Sequence, residues 1–250
     1  MPPETESRCP VLTVALGASA GGLAPLRTFF AKVPPDTGMA FIVVQHRPPD
    51  RDSMLRDLLG QRTAMDVVDV EEDTTVQPNT VYLAPGRHSL SISGDRLRLA
   101  PAGEPGERLP IDAFFRSLAA DRGMRAVGIV LSGMGTDGTL GAQALKENAG
   151  LVVVQEPESA ESGCMPRSLL DASLADLVLP VEDMPRALLD YAQRLAPQSE
   201  TQGQTADEEW DQVQRICHIV RHHTGQDFSR YKAGTLRRRL ERQRTLLQLD

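Results

Sequence analysis

The sequence predicts an α/β protein: a doubly wound, mostly parallel sheet with helices on both faces, an antiparallel hairpin, and a short C-terminal helical segment. Three observations carry that prediction. The runs VLTVAL, FIVV, AVGIVL and LVVV are almost continuously apolar, as in strands covered on both faces. They alternate with segments of helical periodicity, which implies crossover connections and a parallel sheet. Three of these runs lead into a polar residue, Ser19, His46 and Asp137 in turn. Open α/β sheets bind ligands beyond the carboxyl ends of their strands, so residues far apart in sequence can converge there.

The elements follow in order. Residues 1–10 read as a disordered leader, and VLTVAL as the first strand. Leu23, Leu26, Phe30 and Val33 then recur at helical spacing, with Pro25 in the first turn, where it is tolerated. FIVV is the second strand, a helix lies around Met54–Leu59, and VYLAP is a third strand. LSISGDRLRLA alternates about a Gly-Asp turn and reads as a hairpin. PAGEPGERLP is loop, and IDAFFRSLAADRG is a helix stopped by Gly123. AVGIVL, the GMGTDG turn, a helix to about Asn148 and LVVVQEP form a strand-helix-strand unit. LVLP and a helix from Met184 to about Leu195 close the domain, so residues 11–195 are read as one unit.

APQSETQGQTA, residues 196–206, is polar and aperiodic and reads as a linker. Thr205 and Glu208 then fit a capping box, and Trp210, Val213, Cys217 and Val220 form one apolar stripe. A second helix carries Leu236, Leu240 and Leu247, with RRRLERQR on its other faces. Residues 207–250 are thus helical but too short to bury a core alone.

Composition narrows the function. Residues 207–250 hold nine Lys/Arg and seven Asp/Glu, a net of +2. The chain as a whole is −7, so the remainder is −9, and an acidic body argues against nucleic acid as its partner. No run approaches the roughly 18 apolar residues of a membrane span, and the polar start lacks a secretory pattern. Direct membrane insertion is not expected. Cys9, Cys164 and Cys217 are odd in number and far apart, which fits a reducing, cytoplasmic setting.

Ser19 lies in G-x-S-x-G, followed by Gly22. A hydroxyl at a sharp strand-to-helix turn is exposed, small neighbours admit the substrate, and the helix N-terminus behind it favours a developing oxyanion. A plain tight turn or a phosphate-cradling dinucleotide loop would also use such glycines. Against the latter, a serine occupies the middle glycine position, and the second strand ends in His46 rather than an acid. His46 would act as general base and then acid. Asp137 would orient it, although Asp137-Gly138-Thr139 also reads as the N-cap of the following helix. Gly133, Gly135 and Gly138 suggest a loop folded tightly against a neighbour. His218 and His222 are four apart, but Ile219 stands where H-E-x-x-H needs glutamate, so no metal is expected. His88 is read as a loop residue, and Cys164 as a buried structural thiol.

GASAGG, VVQHRPP and LSGMGTDG, in that order, resemble the catalytic domain of CheB-type chemotaxis receptor methylesterases. LAPGRHSLSI, PIDAFFRSLA and the block from VVVQEPESAESGCMPRSLLDA to DLVLP extend the resemblance over residues 11–195. It implies a doubly wound domain that hydrolyses γ-glutamyl methyl esters on receptor helices, with glutamine deamidation in some members and no cofactor. It implies catalytic roles for Ser19, His46 and Asp137, and an oxyanion contact from the backbone of Met134. The backbone N–H near Ala20 is read as the second oxyanion donor. Cys164 departs from the glycine expected there. The N-terminal receiver domain common in the family is not expected ahead of so short a leader. FSRYKAGTLRRRLERQR resembles the N-terminal helical part of CheR-type methyltransferases, which implies the front of a larger esterase–methyltransferase hybrid. The partner implied is a methylated helical receptor or another signalling protein. The rival readings are a nucleotide-binding module and a sensory scaffold whose triad is idle.

Overall fold

The computed structural model describes residues 11–45, 52–86, 88–101 and 109–195. Its main sheet has seven parallel strands in the order β10-β9-β8-β1-β2-β5-β3. These are β1 (Thr13–Ala18), β2 (Ala40–Gln45), β3 (Asp66–Asp69), β5 (Thr80–Leu83), β8 (Ala126–Val130), β9 (Leu151–Gln155) and β10 (Leu177–Leu179). From β1 the chain builds one side through β2, with β5 later inserted between β2 and the edge strand β3, and then the other side through β8, β9 and β10, so the sheet is doubly wound and reverses between β1 and β8. Over the described residues the predicted fold class is the observed one.

Helices α1 (Leu23–Phe30), α2 (Asp52–Gly60), α3 (Pro110–Arg122), α4 (Thr139–Glu147), α5 (Cys164–Asp171) and α6 (Met184–Leu195) cover the sheet or follow it. Alternation along β2 separates the two cores. Phe41 meets Phe29 and Phe30 edge-to-face on one side, with ring centroids 6.0 and 5.8 Å away. Ile42 joins Ile111, Phe114, Phe115 and Leu118 of α3 on the other. The strands of the centre are buried at every position, which is why they read as unbroken apolar runs.

A second, three-stranded sheet orders β4 (Thr74–Thr75), β7 (Arg96–Pro101) and β6 (His88–Ser93). The predicted hairpin is β6–β7, with Ser93 opposite Arg96 across a Gly94-Asp95 turn. Its tip is tied to the end of α3: Gly94 N–H donates to Asp121 Oδ1 (2.7 Å), and Arg122 pairs with Asp95 (2.8 Å). His88 therefore opens a strand, not a loop as its sequence context suggested. The chain divides into compact units Met1–Leu189 and Asp190–Asp250, and residues 190–195 of the second are described as the end of α6. The predicted leader, linker and C-terminal helices, with Cys9, Cys217, His218 and His222, lie outside the described residues.

Candidate active site

The strand carrying Ser19 lies between those leading to His46 and Asp137. Ala18, the last residue of β1, pairs with Gln45, the last of β2, while Gly17 pairs with Val130, the last of β8. His46 itself is outside the described residues. Ser19 and the loop to Asp137 thus leave adjacent strand ends on either side of the point where the sheet reverses.

The turn after β1 is fixed from several directions. Gly22 N–H donates to Ser19 C=O (3.0 Å), which closes the turn into α1. Gly21 adopts φ +71°, a left-handed conformation suited to glycine. Ser19 N–H donates to Ser132 C=O (3.0 Å), and Ser132 Oγ donates to Ala20 C=O (2.9 Å). One residue at the end of the neighbouring strand therefore grips both sides of the nucleophile position. Ser132 is itself fully buried and held: its N–H donates to Gln155 Oε1 (2.9 Å), and its hydroxyl accepts from Ser162 N–H (3.0 Å).

These bonds aim the peptide between Ser19 and Ala20. A trans peptide points its N–H opposite to its C=O. With the Ser19 carbonyl turned to Gly22, the Ala20 N–H faces the other way. Among the described residues, neither Ala20 N–H nor Met134 N–H donates to another group. Both remain available to a developing oxyanion. Met134 is 65% exposed, and Gly135 beside it has φ +80°.

Gly133 is where the two loops touch. Its N–H donates to Ser162 C=O (2.9 Å), and its C=O accepts from Met165 N–H (3.0 Å). A Cβ there would overlap Met165 Sδ and lie 2.9 Å from Ser19 Cβ. Gly133→Ala is expected to cost about 1–3 kcal/mol through overpacking and to displace Ser19. Denaturant midpoints and turnover of the variant check this; a shift of about 1 Å at a reacting group lowers turnover about 100-fold.

Asp137 is 2% exposed, and its carboxylate accepts from two helix N-terminal amides, Ile111 N–H to Oδ2 (3.0 Å) and Asp112 N–H to Oδ1 (2.9 Å). The sequence allowed Asp137 as the N-cap of the helix that follows it. The structure places its carboxylate on α3 instead; the N-cap of α4 is Gly138, at φ +99° with no side-chain cap. Two such charged bonds near a helix N-terminus fix the carboxylate's orientation.

Two expectations about Cys164 change. It is exposed, not a buried thiol, because it occupies the first position of α5, while Met165, Pro166 and Leu169 supply the buried face. Cys164 is not among the non-glycine residues with positive φ, so cysteine in place of glycine leaves the turn regular. Sequence reasoning missed Ser132 and Gln155. Their signal was a polar residue ending the otherwise apolar runs AVGIVLS and LVVVQ.

The CheB methylesterase family model matches residues 14–188, and the model of the CheR methyltransferase all-alpha domain matches residues 211–250. A protein-glutamate methylesterase/protein-glutamine glutaminase of Moorella thermoacetica is 34% identical over 182 residues, covering 70% of this chain and 43% of that protein. One from Geobacillus kaustophilus is 33% identical, covering 70% and 52%. An uncharacterised 104.1 kDa protein of Rhodobacter capsulatus is 34% identical over 209 residues, covering 75% and 22%. The chain thus spans about half the length, or less, of these relatives. The crystal structure of the Thermotoga maritima CheB methylesterase catalytic domain superposes with a TM-score of 0.68 at 28% identity, covering 72% of this chain and 98% of that one. With the fold, the strand-end loops and most of residues 14–188 accounted for by one family, the chain belongs to the CheB methylesterases.

Proposed function

We propose that this chain hydrolyses γ-glutamyl methyl esters on a signalling protein, with Ser19, His46 and Asp137 as its catalytic set. The observation that carries the reading is the Ser19 turn, clamped by Ser132 and flanked by the open N–H groups of Ala20 and Met134. Ser19 Oγ attacks the ester carbonyl and passes its proton to the His46 imidazole. The carbonyl electrons move onto oxygen, facing the two N–H groups. Collapse expels methoxide, which takes that proton and leaves as methanol. Water, deprotonated by His46, then cleaves the acyl-enzyme to free glutamate. Asp137 holds the imidazole and stabilises its charged form. A glutamine amide presented to the same groups would lose ammonia by the same route.

Exposed apolar side chains favour a protein over a small-molecule substrate. Leu23 lies four residues after Ser19, Met134 and Leu140 lie three residues either side of Asp137, and Leu109 caps the helix that Asp137 holds. Such a concentration of apolar surface at one sheet end suits the apolar side of a receptor helix. Among the described residues no helix is long and apolar enough to cross a membrane. The odd, widely spaced cysteines fit a reducing setting, and we propose a cytoplasmic location on that ground. We further assign residues 11–195 to the esterase, 196–206 to a linker and 207–250 to the opening of a CheR-type methyltransferase, a reading supported by the family match at residues 211–250.

A fluorophosphonate probe is expected to label one serine, mapped by mass spectrometry to Ser19, and a helical peptide bearing γ-methyl glutamate to release methanol. Labelling elsewhere, or no methanol from a labelled enzyme, would remove respectively the nucleophile or the substrate from this proposal.

A further inference from the structure

The amides of the PIDAFFRSLA segment hold the Asp137 carboxylate, and its acidic side chain holds the backbone that follows Asp137. Asp112 is 2% exposed, like Asp137. Its Oδ1 accepts from Gly138 N–H (3.0 Å) and from Gly141 N–H (2.7 Å). Neither α3 nor α4 has a side-chain bond from its own N-cap residue, Leu109 or Gly138. Each helix is capped instead by a carboxylate from the other: Asp137 on α3, Asp112 on α4. The exchange is possible because the helices almost touch there. A Cβ on Gly141 would lie 2.5 Å from Phe115 Cβ and 3.0 Å from Asp112 Cα.

Two buried carboxylates side by side repel, and each loses its hydration. Burial, chiefly, and the Asp137 charge raise the Asp112 carboxyl above its ordinary range, against the opposing pull of the Gly141 and Gly138 N–H groups and Arg116. Such an arrangement suits a residue whose task is orientation. Asp137 sits on a loop in which Gly135 and Gly138 both have positive φ, a backbone free to take other conformations. Asp112 holds the amide immediately after Asp137, while Asp137 holds the amide of Asp112 itself.

Accepting Asp137 as the residue that orients the imidazole, we infer that Asp112 is a positioning residue for the esterase, fixing the backbone of Asp137 through Gly138 while the amides of α3 fix its carboxylate. Asp112 touches neither substrate nor the reacting atoms. Its loss is therefore read in turnover and not in substrate affinity.

The test uses the full chain and a γ-methyl-glutamyl peptide, with rates normalised to folded protein. Asp112→Ala is expected to lower kcat about 10–100-fold, the cost of a misplacement near 1 Å, with KM changed less than about twofold. Asp112→Asn keeps an oxygen that accepts both N–H groups and is expected to restore kcat to within about threefold of the native protein. Should the alanine variant not fold, Asp112→Ser, which offers one shorter acceptor, is read by the same criteria. Native kcat in folded alanine or serine variants would reduce Asp112 to a structural cap and overturn the inference. So would equal losses in the alanine and asparagine variants, since charge rather than position would then matter. Native activity in Asp137→Ala, measured in parallel, would overturn the triad reading and this inference with it, whereas the preceding outcomes overturn the inference alone.

Discussion

Ser19→Ala is expected to lower ester hydrolysis about a millionfold, to the residual rate that oxyanion donors and binding alone support. The effect should fall on kcat, with little change in stability. The turn is held by backbone bonds, Ser19 N–H to Ser132 C=O and Gly22 N–H to Ser19 C=O, and alanine retains both. Equal melting temperatures with lost methanol release are the expected pair of results. A variant that kept native turnover would show that another group carries the nucleophile. A variant that unfolded would show that the hydroxyl, not the backbone, secures the turn.

Asp137→Asn is expected to be the second largest loss, about 10,000-fold in kcat, because an amide in place of the carboxylate favours the wrong imidazole tautomer. Unlike Ser19→Ala, this substitution should also cost stability. The carboxylate accepts from both Ile111 and Asp112 N–H, one on each oxygen. An asparagine offers one acceptor, and its NH2 group must face the other amide donor. Loss of a helix cap costs about 1 kcal/mol, and leaving a buried donor unpaired about 1–3 kcal/mol. Turnover and thermal unfolding, measured together, separate the two roles. A drop in activity without any drop in stability would mean that α3 does not depend on its borrowed cap.

The central strands were legible because burial on both faces demands nothing but apolar side chains. Their ends were less so. β1 runs through Gly17 and Ala18, which pair with β2 although neither residue favours strands, while the apolar run ends at Leu16. The edge strand β3, DVVD, gave no such signal, since half of its residues face solvent. Helix α5 was missed because Pro166 lies within it and Gly163 provides no capping side chain. The placement of Ser19 and Asp137 at strand ends could be read from spacing and glycine alone. That Asp137 serves α3 and Asp112 serves α4 could not, because it depends on two helices meeting across about 25 residues of intervening chain, as a Cβ on Gly141 pressed against Phe115 reveals.

The exchanged caps bear on how this domain can be rebuilt. Residues 109–122 and 131–147 are separate in the chain but inseparable as modules, since each supplies the acid that terminates the other's amide array. Transplanting one segment from a distant relative without its counterpart would strand both helix ends at once. The natural unit for recombination is the matched pair.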